Sequence, residues 1–113
     1  MAFDATLEMV KENIAKITLS GELDASVAAQ FKTKVEEAAA NQAKRLVLML
    51  QDLSYIASAG IRVLIFAKQK MGAGVDIFVV APQEQVMETL EMTGLQYSVE
   101  VLDVYDAEKI ETL

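Results

Sequence analysis

Along residues 3–10 (FDATLEMV), Phe3, Ala5, Leu7 and Met9 alternate with polar neighbours, the period of a strand with one buried face. Lys11-Glu12-Asn13 reads as a turn. Residues 14–20 (IAKITLS) then place Ile17 and Leu19 on one face, so the two segments predict a hairpin. The stretch GELD (21–24) ends in Asp24, whose carboxylate suits a helix N-cap. Val27, Phe31, Val35 and Ala38 follow at helical spacing, with Lys32, Lys34 and Glu36 on the opposite side. Residues 46–50 (LVLML) are apolar without alternation, as a central strand covered on both faces requires. A helix is predicted from Ser58 to about Met71, stopped by Gly72-Ala73-Gly74. Residues 75–81 (VDIFVVA) give another buried strand. Pro82 opens a helix with Val86, Met87 and Leu90 inward and Glu84, Glu88 and Glu91 outward, closed by TGL at 93–95. YSVEVL (97–102) reads as a last strand, and Asp106 caps a short terminal helix that presents Ile110 and Leu113.

The order ββαβαβαβα predicts an α/β fold: a mixed β-sheet with an opening hairpin, parallel βαβ crossovers and helices packed on the sheet. At 113 residues, the expectation is one domain over 1–113 with a core that needs no staples.

Composition narrows what such a domain does. The chain is 53% hydrophobic and 24% charged, and it contains no run of about 18 uncharged apolar residues that would cross a membrane. Its net charge is −7, and no basic cluster exceeds Lys44-Arg45, which argues against nucleic acid and against an anionic membrane surface. Without cysteine there is no disulfide or thiolate site. Without histidine the commonest general base and metal ligand is missing, so the expectation is a protein with no metal and no cofactor, and not an enzyme. The start MAFDATLEMVKENIAK lacks a basic region followed by an apolar stretch, so a cytoplasmic protein is expected.

Several motifs have plain explanations. Gly72-Ala73-Gly74 ends a helix, whereas a dinucleotide fingerprint follows a strand and opens one. Glu84, Glu88 and Glu91 have the spacing of a solvated helix face, and Met87 and Met92 read as flexible core filler. Ser58 asks for more. It is a lone hydroxyl flanked by Ala57 and Ala59 and followed by Gly60, with little bulk around it, where a strand hands over to a helix. A helix N-cap accounts for it in part. The helix behind it, GIRVLIFA, is apolar on nearly every face, with Arg62 its one charge, and is either deeply buried or offered to a partner. The loop at 21–24 also follows a strand and precedes a helix, so both loops are expected at the same end of the sheet.

Three stretches resemble a known family in order and separation as well as wording: LSGELD (19–24), LVLMLQDLSYIASAGIRVLIFAK (46–68) and VMETLEMTGL (86–95). Over nearly its whole length the chain resembles the STAS family, the domain of bacterial anti-sigma factor antagonists. The resemblance implies a phosphorylation-controlled partner switch in transcription regulation. A serine kinase that is itself the anti-sigma factor would phosphorylate Ser58. The unphosphorylated form would bind that anti-sigma factor and release the sigma factor, and a serine phosphatase would reset the cycle. Gly21, Glu22, Leu23 and Asp24 match the loop that meets the kinase. Ala57, Ala59, Gly60, Ile61 and Arg62 complete the implied partner-binding surface around Ser58, on a monomer or weak dimer. The chain departs from the family pattern at Ala57, where family members usually carry Asp or Ser. Two other readings stay open: an unphosphorylated scaffold in a larger sensory assembly, and a small serine-dependent or nucleotide-binding enzyme.

Overall fold

A computed structural model of the chain describes residues 2–72 and 74–112. β1 (Asp4–Lys11) and β2 (Ile14–Leu23) form the antiparallel hairpin, turning at Glu12-Asn13. From β2 the chain alternates: α1 (Ala28–Ala40), β3 (Arg45–Ile56), α2 (Ser58–Met71), β4 (Asp76–Val80), α3 (Glu84–Thr93), β5 (Glu100–Leu102) and α4 (Ala107–Ile110). The strands lie in sequence order, and every pair after the hairpin is parallel. This is the predicted mixed sheet.

The topology decides where the helices go. Each crossover from β2 to β5 steps one strand in the same direction, and right-handed connections then put all three helices on one face. The main core accordingly joins Ile17 and Leu19 of β2, Leu46, Leu48 and Leu50 of β3, Phe31 and Val35 of α1, Leu64 of α2 and Leu90 of α3. The other face holds a smaller cluster, Ile14, Val47, Phe78 and Val80, closed by Ile110 of α4. Alternate residues of LVLML thus enter different cores, which is why the run is apolar throughout.

Several boundaries differ from the sequence expectation, each for a physical reason. β3 is twelve residues long rather than five. Beyond Met49 it pairs with β2 alone, and β3 carries one extra residue between Thr18↔Met49 and Ser20↔Asp52 and another between Gly21↔Leu53 and Glu22↔Tyr55. These bulges break the two-residue period of QDLSYI, so the segment does not look like a strand. Ser54 lies inside it and donates to the Gly21 carbonyl at 3.1 Å. Asp24 does not cap α1, which begins after Val27; its Oδ1 instead accepts from the N–H and hydroxyl of Ser26 at 2.9 and 2.6 Å, an Asx-type turn. α3 starts two residues after Pro82, with Gln83 extended at its N-cap. Tyr97 lies in a 3₁₀ turn (Leu95–Tyr97), shortening the last strand to three residues. Asp106 does cap α4, accepting from Glu108 and Lys109 N–H at 3.0 and 3.4 Å. Ala73 and Leu113, also assigned from sequence, lie outside the described residues.

Candidate functional site at the start of α2

Only Ala57 separates the end of β3 from the start of α2. Its N–H donates to the Leu23 carbonyl at 2.9 Å, and Leu23 pairs with Ile56 in the sheet. The ends of β2 and β3 are therefore tied, and the loops at 21–24 and 57–58 emerge side by side, as the topology predicts.

Gly60 explains the lack of bulk, though not as a space cleared around the hydroxyl. It is buried, and a Cβ there would come within 2.8 Å of the Leu23 side chain and 2.9 Å of Ile56 Cγ1. The first turn of α2 sits directly on the two strand ends, too close for a methyl group. Gly21 plays a similar part. It is buried with φ +86°, and a Cβ there would run into the Ala2 carbonyl and lie 3.0 Å from Phe3 Cα. Only glycine meets both demands.

The nine residues expected at the partner surface divide accordingly. Gly21, Leu23, Gly60 and Ile61 are buried, so they shape the platform without forming its surface. Glu22, Asp24 and Arg62 are exposed, and Ala57 and Ala59 are half-buried. Ser58 is exposed, and among the described residues its hydroxyl makes no hydrogen bond. It is the first residue of α2, with Ala57 in the cap position, so Ser58 is not the N-cap that the sequence suggested.

The electrostatics favour an anion on Ser58. Among the described residues no side chain caps α2, while Gly60 and Ile61 N–H both turn back to the Ala57 carbonyl at 2.9 and 3.2 Å. The uncapped first turn and the helix dipole suit a negative group. Arg62 lies one helical turn further on the same side and enters no ion pair among the described residues. Asp24 is held below its ordinary pKa, chiefly by the Ser26 hydroxyl, and remains a carboxylate. Two hollows in the surface, of about 540 and 400 Å³, lie elsewhere, the larger beside Arg45, Lys68 and Tyr97 and the smaller beside Met49 and Val104. Ser58 stands on an open surface beside the exposed Glu22, Asp24 and Arg62.

Sequence reasoning passed over two glutamines at the start of α3. Gln83 Nε2 donates to the Gln51 carbonyl at 2.8 Å, and the Gln85 carboxamide bonds both backbone groups of Ile56. Polar residues in a helix first turn give no signal in sequence of facing a neighbouring strand.

A family model of the STAS domain matches residues 8–109. The chain belongs to the STAS domain family. Among curated proteins this STAS domain is similar to the anti-sigma-F factor antagonist RsfB of Mycobacterium tuberculosis. The two are 27% identical over 82 residues, which span 73% of this chain and 67% of that protein. An anti-sigma factor antagonist from Mycobacterium paratuberculosis has the same fold with a TM-score of 0.86 at 19% identity, over 98% of this chain and 96% of the other. SpoIIAA in its unphosphorylated form gives a TM-score of 0.82 at 22% identity, over 96% and 94%. Its phosphorylated form, from Bacillus, gives 0.73 at 22% identity, over 96% and 97%. At such identities the structural likeness shows the STAS fold, and the family match covers the Ser58 site.

Proposed function

We propose that this STAS domain is an anti-sigma factor antagonist whose binding is switched by phosphorylation of Ser58. The observation that carries the reading is an exposed serine hydroxyl at the start of α2, unbonded and uncapped among the described residues, beside the loop that ends β2. The likeness to RsfB, named an anti-sigma-F factor antagonist, supports it, as does a SpoIIAA structure in a phosphorylated form.

Unphosphorylated, the surface of Glu22, Asp24, Ala57, Ser58, Ala59 and Arg62 meets the anti-sigma factor and frees its sigma factor. Phosphate adds about −1.5 to −2 charge at Ser58. Within the domain that charge meets helix N–H groups and Arg62, so the fold tolerates it. A partner packed over the same spot would have to bury it or face it with like charge, at a cost on the order of several kcal/mol. At about 1.4 kcal/mol per tenfold, binding weakens by a factor of hundreds. The anti-sigma factor supplies the kinase, a separate phosphatase restores the hydroxyl, and the exchange takes place in the cytoplasm. In this reading the domain performs no catalysis of its own.

Ala57, in place of the family's Asp or Ser, favours a second reading in which the domain binds as an unphosphorylated scaffold. Capture of partners from native lysate followed by phosphosite mapping separates the two. Phosphate on Ser58 alone supports the switch. A captured partner that leaves Ser58 unmodified when ATP is supplied supports the scaffold, and modification at Ser54 with Ser58 untouched contradicts the proposed site. ATP turnover by the domain alone would show an enzyme instead.

A further inference from the structure

β4 ends its pairing with β3 at Met49↔Val80, yet β3 runs on to Ile56. On the β4 side those last seven residues have no neighbouring strand among the described residues. Ile56 is nevertheless satisfied there: its N–H donates to Gln85 Oε1 at 2.9 Å, and its carbonyl accepts from Gln85 Nε2 at 3.3 Å. A carboxamide presents an acceptor and a donor in one plane, so a single side chain copies what a residue of an adjoining strand would offer. The orientation of the amide follows from chemistry, since a backbone N–H can be met only by the oxygen. Thr89, one turn along α3, fixes the side chain: its hydroxyl accepts from Gln85 Nε2 at 3.1 Å and donates to the Gln85 carbonyl at 2.9 Å.

Ile56 is two residues before Ser58. On its other flank, Ala57 N–H is bonded to Leu23. The turn that presents Ser58 is therefore gripped from both sides, by the backbone of β2 and by one side chain of α3. We propose that Gln85, held by Thr89, is a positioning residue for Ser58, replacing the absent strand and holding the β3–α2 junction in the geometry a partner docks on. The inference deepens the functional reading above and rests on it for its consequence, but its structural half stands alone.

Two measurements on the full chain test it. In Gln85→Met, amide hydrogen exchange at Ala57 and Gly60, neither bonded to Gln85, should accelerate by about tenfold, the scale of losing one part-buried hydrogen-bonding group. The amide of Val47, in the opposite core, should change far less. Gln85→Glu, which keeps an acceptor for Ile56 N–H, should fall between. If only Ile56 exchanges faster while Ala57 and Gly60 match the parent, Gln85 is a local bond and the proposal is overturned. The second measurement is the association rate of the captured anti-sigma factor, expected to fall in Gln85→Met and to hold in Ile110→Val, a core change on the far face. Equal rates in all three proteins would overturn the positioning role. A parent chain that binds no anti-sigma factor would remove the regulatory reading, and the exchange result would still decide the grip on Ser58.

Discussion

The α4 end and the Ser58 end of this molecule spend their polar groups in opposite ways. Around α4 several charged and polar side chains are engaged internally. Arg45 Nη1 lies 2.9–3.0 Å from the carbonyls of Lys109, Ile110 and Thr112, and Nη2 pairs with Asp76 at 2.9 Å. The Tyr105 hydroxyl donates to Glu111 at 2.6 Å, Lys11 approaches Glu111 from β1, and Lys109 pairs with Glu100. This clasp closes the sheet face that one-directional crossovers leave without a long helix. At the Ser58 end the backbone is tightly held, by Ala57 to Leu23 and by Gln85 to Ile56, while Glu22, Ser58 and Arg62 are exposed and unengaged among the described residues. A rigid backbone beneath uncommitted side chains is the arrangement that binds without first breaking internal bonds.

The contrast can be broken most severely from beneath the site. Gly21→Ala would force a side chain into a positive-φ position against the Ala2 backbone, and should cost about 3 kcal/mol or more. A urea midpoint close to that of the parent would show that the β2 end yields, contrary to a rigid platform. Arg45→Ala should come next, at about 2 kcal/mol, because it strips partners from three carbonyls and from Asp76. Its loss should be read as faster amide exchange in α4 with the Ser58 turn unaltered. Simultaneous loosening of both ends would mean that they are not independent.

The smallest effect is one of pH. Burial, reinforced by the bond to Glu111, pushes the Tyr105 phenol from 10.0 up to about 12. A raised pKa favours the folded state while the group is protonated. Its contribution is therefore whole below about pH 10 and is lost as the pH rises toward 12. Urea titrations at about pH 9 and 11 should show a larger fall in stability for the parent than for Tyr105→Phe. An identical fall in both would remove Tyr105 from the clasp.

Much of this was legible in the sequence because the period of apolar residues survives wherever a strand or helix lies flat on a core. β1 and the helical stripe Phe31–Val35–Ala38 are of that kind, and the cap at Asp106 was legible from residue type. The second half of β3 was not, because two bulges scramble its alternation and a side-chain amide, which leaves no periodic trace, stands in for its neighbour. At the site, the small residues around it singled out Ser58, the resemblance implied its role, and the strand–loop–helix pattern brought the 21–24 loop beside it. Neither could separate Glu22 and Arg62, which face outward, from Leu23 and Ile61, which face the core. That distinction depends on bulge geometry at Gly21/Glu22 and on how closely Gly60 lets α2 approach the strands. Asp24 was a reasonable helix cap by residue type, but its carboxylate closes on Ser26 first.

The central claim is that a charge on Ser58 governs binding without disturbing the fold. Its most direct test is calorimetric titration of the captured anti-sigma factor with the unmodified chain, the Ser58-phosphorylated chain and Ser58→Ala, each with its thermal midpoint measured alongside. The Ser58 hydroxyl has no hydrogen-bond partner among the described residues, so Ser58→Ala should change stability by no more than about 0.5 kcal/mol and bind like the unmodified chain. The phosphorylated chain should keep a similar midpoint and bind on the order of a hundredfold more weakly. Equal affinity of the phosphorylated and unmodified chains, with both folded, would contradict the account.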